Sequence, residues 1–318
     1  MKRIQAGLLS VLGLVTAATP ARACGACGCT LNSDWASQGY AVRPGFRFDL
    51  RYDYFNQDQL RRGTRSVDRA AFEIPNEQEV QEKTLNRNLT ATLDYSPSPD
   101  WGVTVLIPAF NRYHATLAEG DVDPSMSQTS GLGDVRVLGR YQGFSEARSF
   151  GVQMGLKLAT GRFHQPFQAG AQAGQPLDRG LQLGTGTTDL LVGAYAFGSL
   201  APEWGCFGQV LFQKPLGERE GFKPGDGVNA NAGVRYTGFA GLTPHLQLNL
   251  RAEGRESGSQ ADVENSGATL LYLSPGLTVA VTRTLQVYAF AQVPLHQRVT
   301  GLQIEPRSSV SLGLHWSF

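Results

Sequence analysis

Between Phe46 and Tyr54 every second residue is apolar or aromatic, and Arg47, Asp49, Arg51 and Asp53 fill the positions between. A β-strand sends successive side chains to opposite faces, so the two sets part cleanly. The same parity returns along the chain. In 83–95, Leu85, Leu89, Ala91, Leu93 and Tyr95 oppose Asn86, Asn88, Thr90, Thr92 and Asp94. In 244–254, Leu246, Leu248, Leu250 and Ala252 oppose Gln247, Asn249, Arg251 and Glu253. In 306–318, Val310, Leu312, Leu314, Trp316 and Phe318 oppose Ser309, Ser311, Gly313, His315 and Ser317. About 12 strands are predicted: 46–55, 83–95, 101–115, 131–143, 149–160, 187–200, 204–214, 227–240, 244–254, 267–281, 284–295 and 306–318. The stretches 187–200 and 267–281 alternate least clearly. Helical periodicity is almost absent, so no second layer is on offer to cover the apolar faces.

The connections sort by length. Short ones fall at 96–100, 145–148, 201–203, 241–243 and 282–283, and long ones at 56–82, 116–130, 161–186, 215–226, 255–266 and 296–305. Strict alternation of short and long connections suits a barrel with periplasmic turns at one end and external loops at the other. The expected fold class is therefore all-β: a transmembrane antiparallel β-barrel of about 12 strands with a short N-terminal periplasmic segment. Tyr52, Tyr54, Tyr95, Trp101, Trp204, Trp316 and Phe318 fall near strand ends, where an interfacial aromatic girdle belongs. Arg87 has lipid-facing parity but lies near the outer end, within reach of headgroups.

Residues 1–23 read as a secretory signal: Lys2 and Arg3, an apolar stretch from Ala6 to Ala18, and Ala21-Arg22-Ala23 before the cleavage point. Cleavage there leaves a periplasmic cysteine-containing segment, 24–45, followed by the barrel, 46–318. The arginine before Cys24 fits lipoprotein processing poorly. With Lys2, Arg3 and Arg22 removed from its 28 basic residues, the mature chain is close to neutral against 27 acidic ones, which leaves no nucleic-acid footprint. The expected location is the bacterial outer membrane, with membrane lipid and lipopolysaccharide as neighbours.

Parity places Arg47, Asp49, Arg51, Asp53, Asp94, Asp134, Arg136, Arg140, Lys157, Arg235, Arg251 and Glu253 inside the barrel. Buried charges must pair or meet water. They either brace a filled lumen or form a charged constriction that selects solutes. Cys24, Cys27 and Cys29 form the other unusual cluster. Close thiolates can wrap zinc or copper(I); in the oxidising periplasm they can instead form disulfides, Cys206 being a candidate partner, or Cys24 can carry lipid. Residues 24–40 are expected to fold into the periplasmic mouth as a small plug anchored by Trp35, with Ser33 or Asp34 capping a helical turn.

Enzyme chemistry finds little support. His315 and Ser317 share a face, but that face is the lumen, and a lipase needs nucleophile, base and orienting group together beside lipid. His114, His164, His245 and His296 are scattered without ligand spacing. Glu119, Asp121 and Asp123 form an acidic outer loop that suits solvent better than calcium.

Three segments carry a resemblance. They are GLGDVRVLGRYQ from Gly131, GLKLATG from Gly155 and LGTGTTDL from Leu183. Together they resemble the outer-membrane transporter family named for the meta-pathway of phenol degradation, over roughly residues 130–318. That resemblance implies a barrel passing small, often hydrophobic or aromatic, compounds, and it brings no catalytic residues. Asp134 and Asp189, at the starts of two strands, are expected to cap loop ends. The expected function is a passive outer-membrane channel. The alternative is a closed barrel that anchors a cysteine segment binding a soft metal or docking a periplasmic partner.

Overall fold

The computed structural model describes residues 31, 33–40 and 43–318. Its strands are β1 (Gly45–Gly63), β2 (Arg65–Ser66), β3 (Val80–Ser96), β4 (Trp101–Leu117), β5 (Ser125–Leu132), β6 (Arg136–Tyr141) and β7 (Phe150–Lys157). They continue as β8 (Asp189–Ala201), β9 (Trp204–Pro215), β10 (Gly227–Tyr236), β11 (Leu242–Glu253), β12 (Ala268–Ala280) and β13 (Leu285–Ser317). All lie in one antiparallel sheet, ordered β13-β12-β11-β10-β9-β8-β7-β6-β4-β3-β1, which closes through β13 against β1. β2 pairs with the top of β1, and β5 extends the wall above β6 along β4.

β13 passes the wall twice. Its first part pairs with β12, from Val279↔Val287 up to Ala268↔Val299. Its second part pairs with β1, from Gly63↔Val299 down to Arg47↔Ser317. The chain reverses near Gly301, at φ 64°, and the Ser317 amide donates to the Thr284 carbonyl at 2.9 Å, zipping the lower end of this hairpin. Eleven wall strands thus make twelve passes, the number the periodicity predicts. Closure leaves no sheet edge, which is what lets a barrel stand in hydrocarbon.

Burial follows parity. Leu89, Leu93, Tyr95, Leu246, Leu248, Val310, Leu312 and Leu314 are exposed on the outside, while Asn88, Thr90, Asp94, Gln247, Asn249, Ser309 and Ser311 are buried inside. Apolar outside and polar inside is the arrangement of a barrel in lipid. At the end carrying the short turns, aromatic rings meet in pairs: Phe46 with Tyr95 at 4.3 Å, Trp101 with Tyr141 at 4.6 Å, and Trp204 with Tyr236 at 5.1 Å.

Three expected loops are partly strand. β1 runs on to Gly63 because Leu60 packs with Val80, Leu302 and Ile304 above the band. The predicted 116–130 loop contains most of β5, and the predicted 296–305 loop is the tip of the β13 hairpin. The single predicted strand 131–143 is broken at 133–135, where Asp134 turns from the wall to hold a loop.

Candidate functional site

The inner wall is where chemistry concentrates. Of the expected lumen residues, Arg47, Asp49, Asp53, Asp94, Asp134, Arg140, Lys157 and Arg251 are buried, and Arg51, Arg136, Arg235 and Glu253 are half-buried. Asp53 is 1% exposed and Asp189 0%, so both carboxylates are enclosed by their neighbours.

The charges gather in groups. Towards the end with short turns, Asp94 lies between Arg47, at 2.6 Å, and Arg140, with Thr104 and Ser96 completing the network. The Arg140 guanidinium lies across Gly102, where any Cβ would collide with it. Above them Asp49 accepts from the Trp35 indole N–H and the Tyr288 hydroxyl, both at 2.9 Å. Arg51 pairs with Asp53 at 2.9 Å, and Ser311 donates to Asp53. Farther up, Lys157 sits between Asp189 at 2.8 Å and Asp134 at 3.3 Å, and Arg251 pairs with Glu253. Each of these charges has its counter-charge or donors, as low-dielectric burial demands.

Two inserted segments close the lumen. From the end with short turns, residues 31 and 33–40 enter the barrel. Trp35 is 4% exposed and meets Tyr288 edge-on at 4.9 Å, His315 at 5.6 Å and His245 at 6.1 Å. Asp34 accepts from the Ser37 amide at 3.3 Å, capping the helical turn Ala36–Tyr40. Gln209 donates to Asp34 at 3.1 Å, Arg235 to the Gln38 carbonyl at 2.8 Å, and Arg51 to Ser33. Donors from β1, β9 and β10 thus grip this segment from opposite sides.

From the other end, loop 158–188 folds inward. Phe167, Leu177, Leu181 and Leu183 are buried. Arg112 donates to the Leu181 carbonyl at 2.7 Å while its Nε holds Asn86 at 2.8 Å. The Asp134 carboxylate accepts from the amides of Gly161 and Thr185, both at 2.9 Å, and from the Thr185 hydroxyl at 3.0 Å. Arg179 stacks between Phe163 at 4.4 Å and Phe222 at 4.8 Å, tying this loop to the next.

Between the closures the wall is apolar on one side. Register places Thr104, Leu138, Gly155, Leu191 and Gln213 in one row across β4, β6, β7, β8 and β9, with Leu106 and Leu211 in the adjoining rows. Leu106, Phe110, Leu138 and Leu211 point inward by parity and are only half-buried. Near the outer end a cavity of about 40 Å³ is lined by Asp178, Glu256 and Asp262 with Gln57, Gln81 and Gln303. Burial, with the charges of Asp178 and Asp262, pushes Glu79 up to about 8; burial and Asp262 push Asp178 up to about 6.

Arg112, Asp189 and Tyr288 complete these networks and were not among the expected lumen residues. Arg112 shares the inward parity of Thr104 on β4, so the alternation carried its signal. His315 stands 3.8 Å from Asp49 and 3.4 Å from Ser317, longer than the contacts of a working relay, and Asp49 already serves Trp35 and Tyr288. Among the described residues no group of three or more His, Cys, Asp or Glu side chains has the arrangement of a metal site. Cys24, Cys27 and Cys29, with the zinc or copper expected there, lie outside the described residues. Cys206 stands on the outward parity of Val210 and Phe212. In the outer loop Asp121 accepts from Gln172 at 2.8 Å.

No family model and no curated relative matches the chain. Solved structures do. An outer membrane channel from Pseudomonas putida F1 aligns over 87% of this chain and 96% of its own, with a TM-score of 0.62 at 13% identity. The CymD monoaromatic hydrocarbon channel aligns over 92% and 94%, with a TM-score of 0.44 at 9% identity. The NanC porin aligns over 85% and 100%, with a TM-score of 0.46 at 8% identity. The first of these likenesses is one of fold: the chain is a closed β-barrel of the outer-membrane type.

Proposed function

We propose that this protein is a bacterial outer-membrane channel for passive diffusion of small, hydrophobic or aromatic solutes. The observation that carries this reading is the inward apolar strip of Leu106, Phe110, Leu138 and Leu211, half-buried between two inserted closures. A solute with an aromatic ring would trade water for this strip, while polar groups across the lumen keep binding weak enough for release. The resemblance to the meta-pathway transporter family supports the same solute class, and the Pseudomonas putida structure of the same fold is itself an outer membrane channel.

The passage is gated. Residues 31 and 33–40 block the periplasmic end, and loop 158–188 the external end. The ion pairs between them stiffen the wall rather than bind solute. Planar-bilayer recording of the refolded mature chain, beside a chain lacking 24–40, tests the reading. Discrete steps from the full chain, larger ones from the deletion, are expected; silence from both would overturn it. Liposome swelling with a phenolic solute against a sugar of similar size reads the solute class.

A further inference from the structure

Arg87 stands on the wall where lipid should be. It shares the parity of Leu89, Leu93 and Tyr95, which are exposed on the outer face, and is itself exposed. It lies eight residues beyond Tyr95, about 26 Å along the strand. At ordinary strand tilt that is about 20 Å along the membrane normal, close to the outer limit of an apolar band about 25 Å tall. Among the described residues neither the Arg87 side chain nor that of Lys83, four positions farther out on the same face, makes a hydrogen bond or ion pair. Across β1, Arg307 is paired with Asp58 at 3.1 Å. Its side chain is 70% exposed, and it shares Asp58 with Asn56. Register sets Tyr54 and Asn111 on either side of Arg87. Asn111 accepts from Gln128 at 3.1 Å.

We infer that Lys83 and Arg87 form a binding surface for the phosphate groups of an outer-leaflet glycolipid, with Asn56, Asn111 and Gln128 facing its sugar hydroxyls. The occupant follows from charge and place. A cation at the rim of an apolar band needs an anion at headgroup depth, and the long-loop end is the external one. Leu89, Leu93 and Tyr52, all exposed, continue the surface downward, so acyl chains can lie on the wall beneath. Lys214, outward on β9, is already paired with Asp226 at 3.1 Å and offers no such site. The inference rests on the outer-membrane placement proposed above.

Native mass spectrometry of the full folded chain, with bisphosphorylated lipid A and phosphatidylethanolamine as competing probes, tests it. Wild type is expected to retain lipid A in preference to phosphatidylethanolamine. Arg87→Gln and Lys83→Gln should each weaken retention about fivefold, and Lys214→Gln should leave it unchanged. Equal retention of both lipids by wild type, or equal losses from all three variants, would overturn the inference. A heat-dependent gel shift shows that each variant is folded. A barrel that inserts and conducts but ignores lipid A sinks this inference alone; one that does not insert sinks the channel reading.

Discussion

Replacing Trp35 with alanine should unseat the segment that fills the lower lumen. The indole is 4% exposed and packs with Leu31, Tyr288 and Phe290, while its N–H serves Asp49. Removing a buried tryptophan costs about 3–5 kcal/mol. Leaving the Asp49 carboxylate one donor short costs about 1–3 kcal/mol, and the two overlap. A net loss of about 4 kcal/mol shifts the ratio of seated to released segment about a thousandfold. Trp35→Phe keeps most of the ring and loses only the donor, so about a tenfold shift is expected. Single-channel recording reads this directly, as open probability rising from wild type through Trp35→Phe to Trp35→Ala. Thermal unfolding of the barrel should change little, because the wall pairs are untouched. Identical traces from all three proteins would refute the reasoning.

Asp134→Asn should loosen loop 158–188 by about 1–3 kcal/mol, since Lys157 keeps Asp189 while the loop amides lose a charged acceptor. Faster protease cleavage within the loop is the readout, and an unchanged rate counts against the anchor. With Glu79 at about 8 and Asp178 at about 6, the packed outer loops hold protons that the unfolded chain gives up. Their packing is therefore most stable below the ordinary carboxylate range and weakens as pH rises through 6 towards 8. Loop protection measured by hydrogen exchange at about pH 5 and about pH 8.5 should show the loss, and Glu79→Gln should flatten it. Gly313→Val would drive a side chain into the Tyr288 ring that lies over it. A loss of about 1–3 kcal/mol in urea unfolding is expected, and none would mean the ring is free to move.

Alternation made the wall legible. Two faces in different solvents leave a period-2 trace, and the strands around Phe48, Leu93, Leu248 and Leu312 stand where that trace puts them. Upper strand ends were not legible, because above the apolar band both faces are polar or packed under loops. Gln57 to Gly63 and Ser125 to Leu132 carry no clean parity, yet pair because a neighbouring strand continues beside them. Parity also gave which charges point inward, but not their partners. Asp94 meets both Arg47 and Arg140 only because β3 lies between β1 and β4, with β6 next beyond, an order that no local pattern records. The grip on Trp35 comes from β1, β11 and β13, so its lodging depends on the finished cylinder.

The seam of that cylinder joins Arg47 to Ser317 and Tyr54 to Val310. Half of the β1 backbone thus waits for a partner about 240 to 270 residues later in the chain. Until the final hairpin arrives, β1 has an open edge towards any passing strand, so the exported chain must be kept from aggregating by an escort. Contacts this distant also make assembly slow and nearly all-or-none. A chain cut before residue 302 should therefore be degraded rather than persist as a partial barrel.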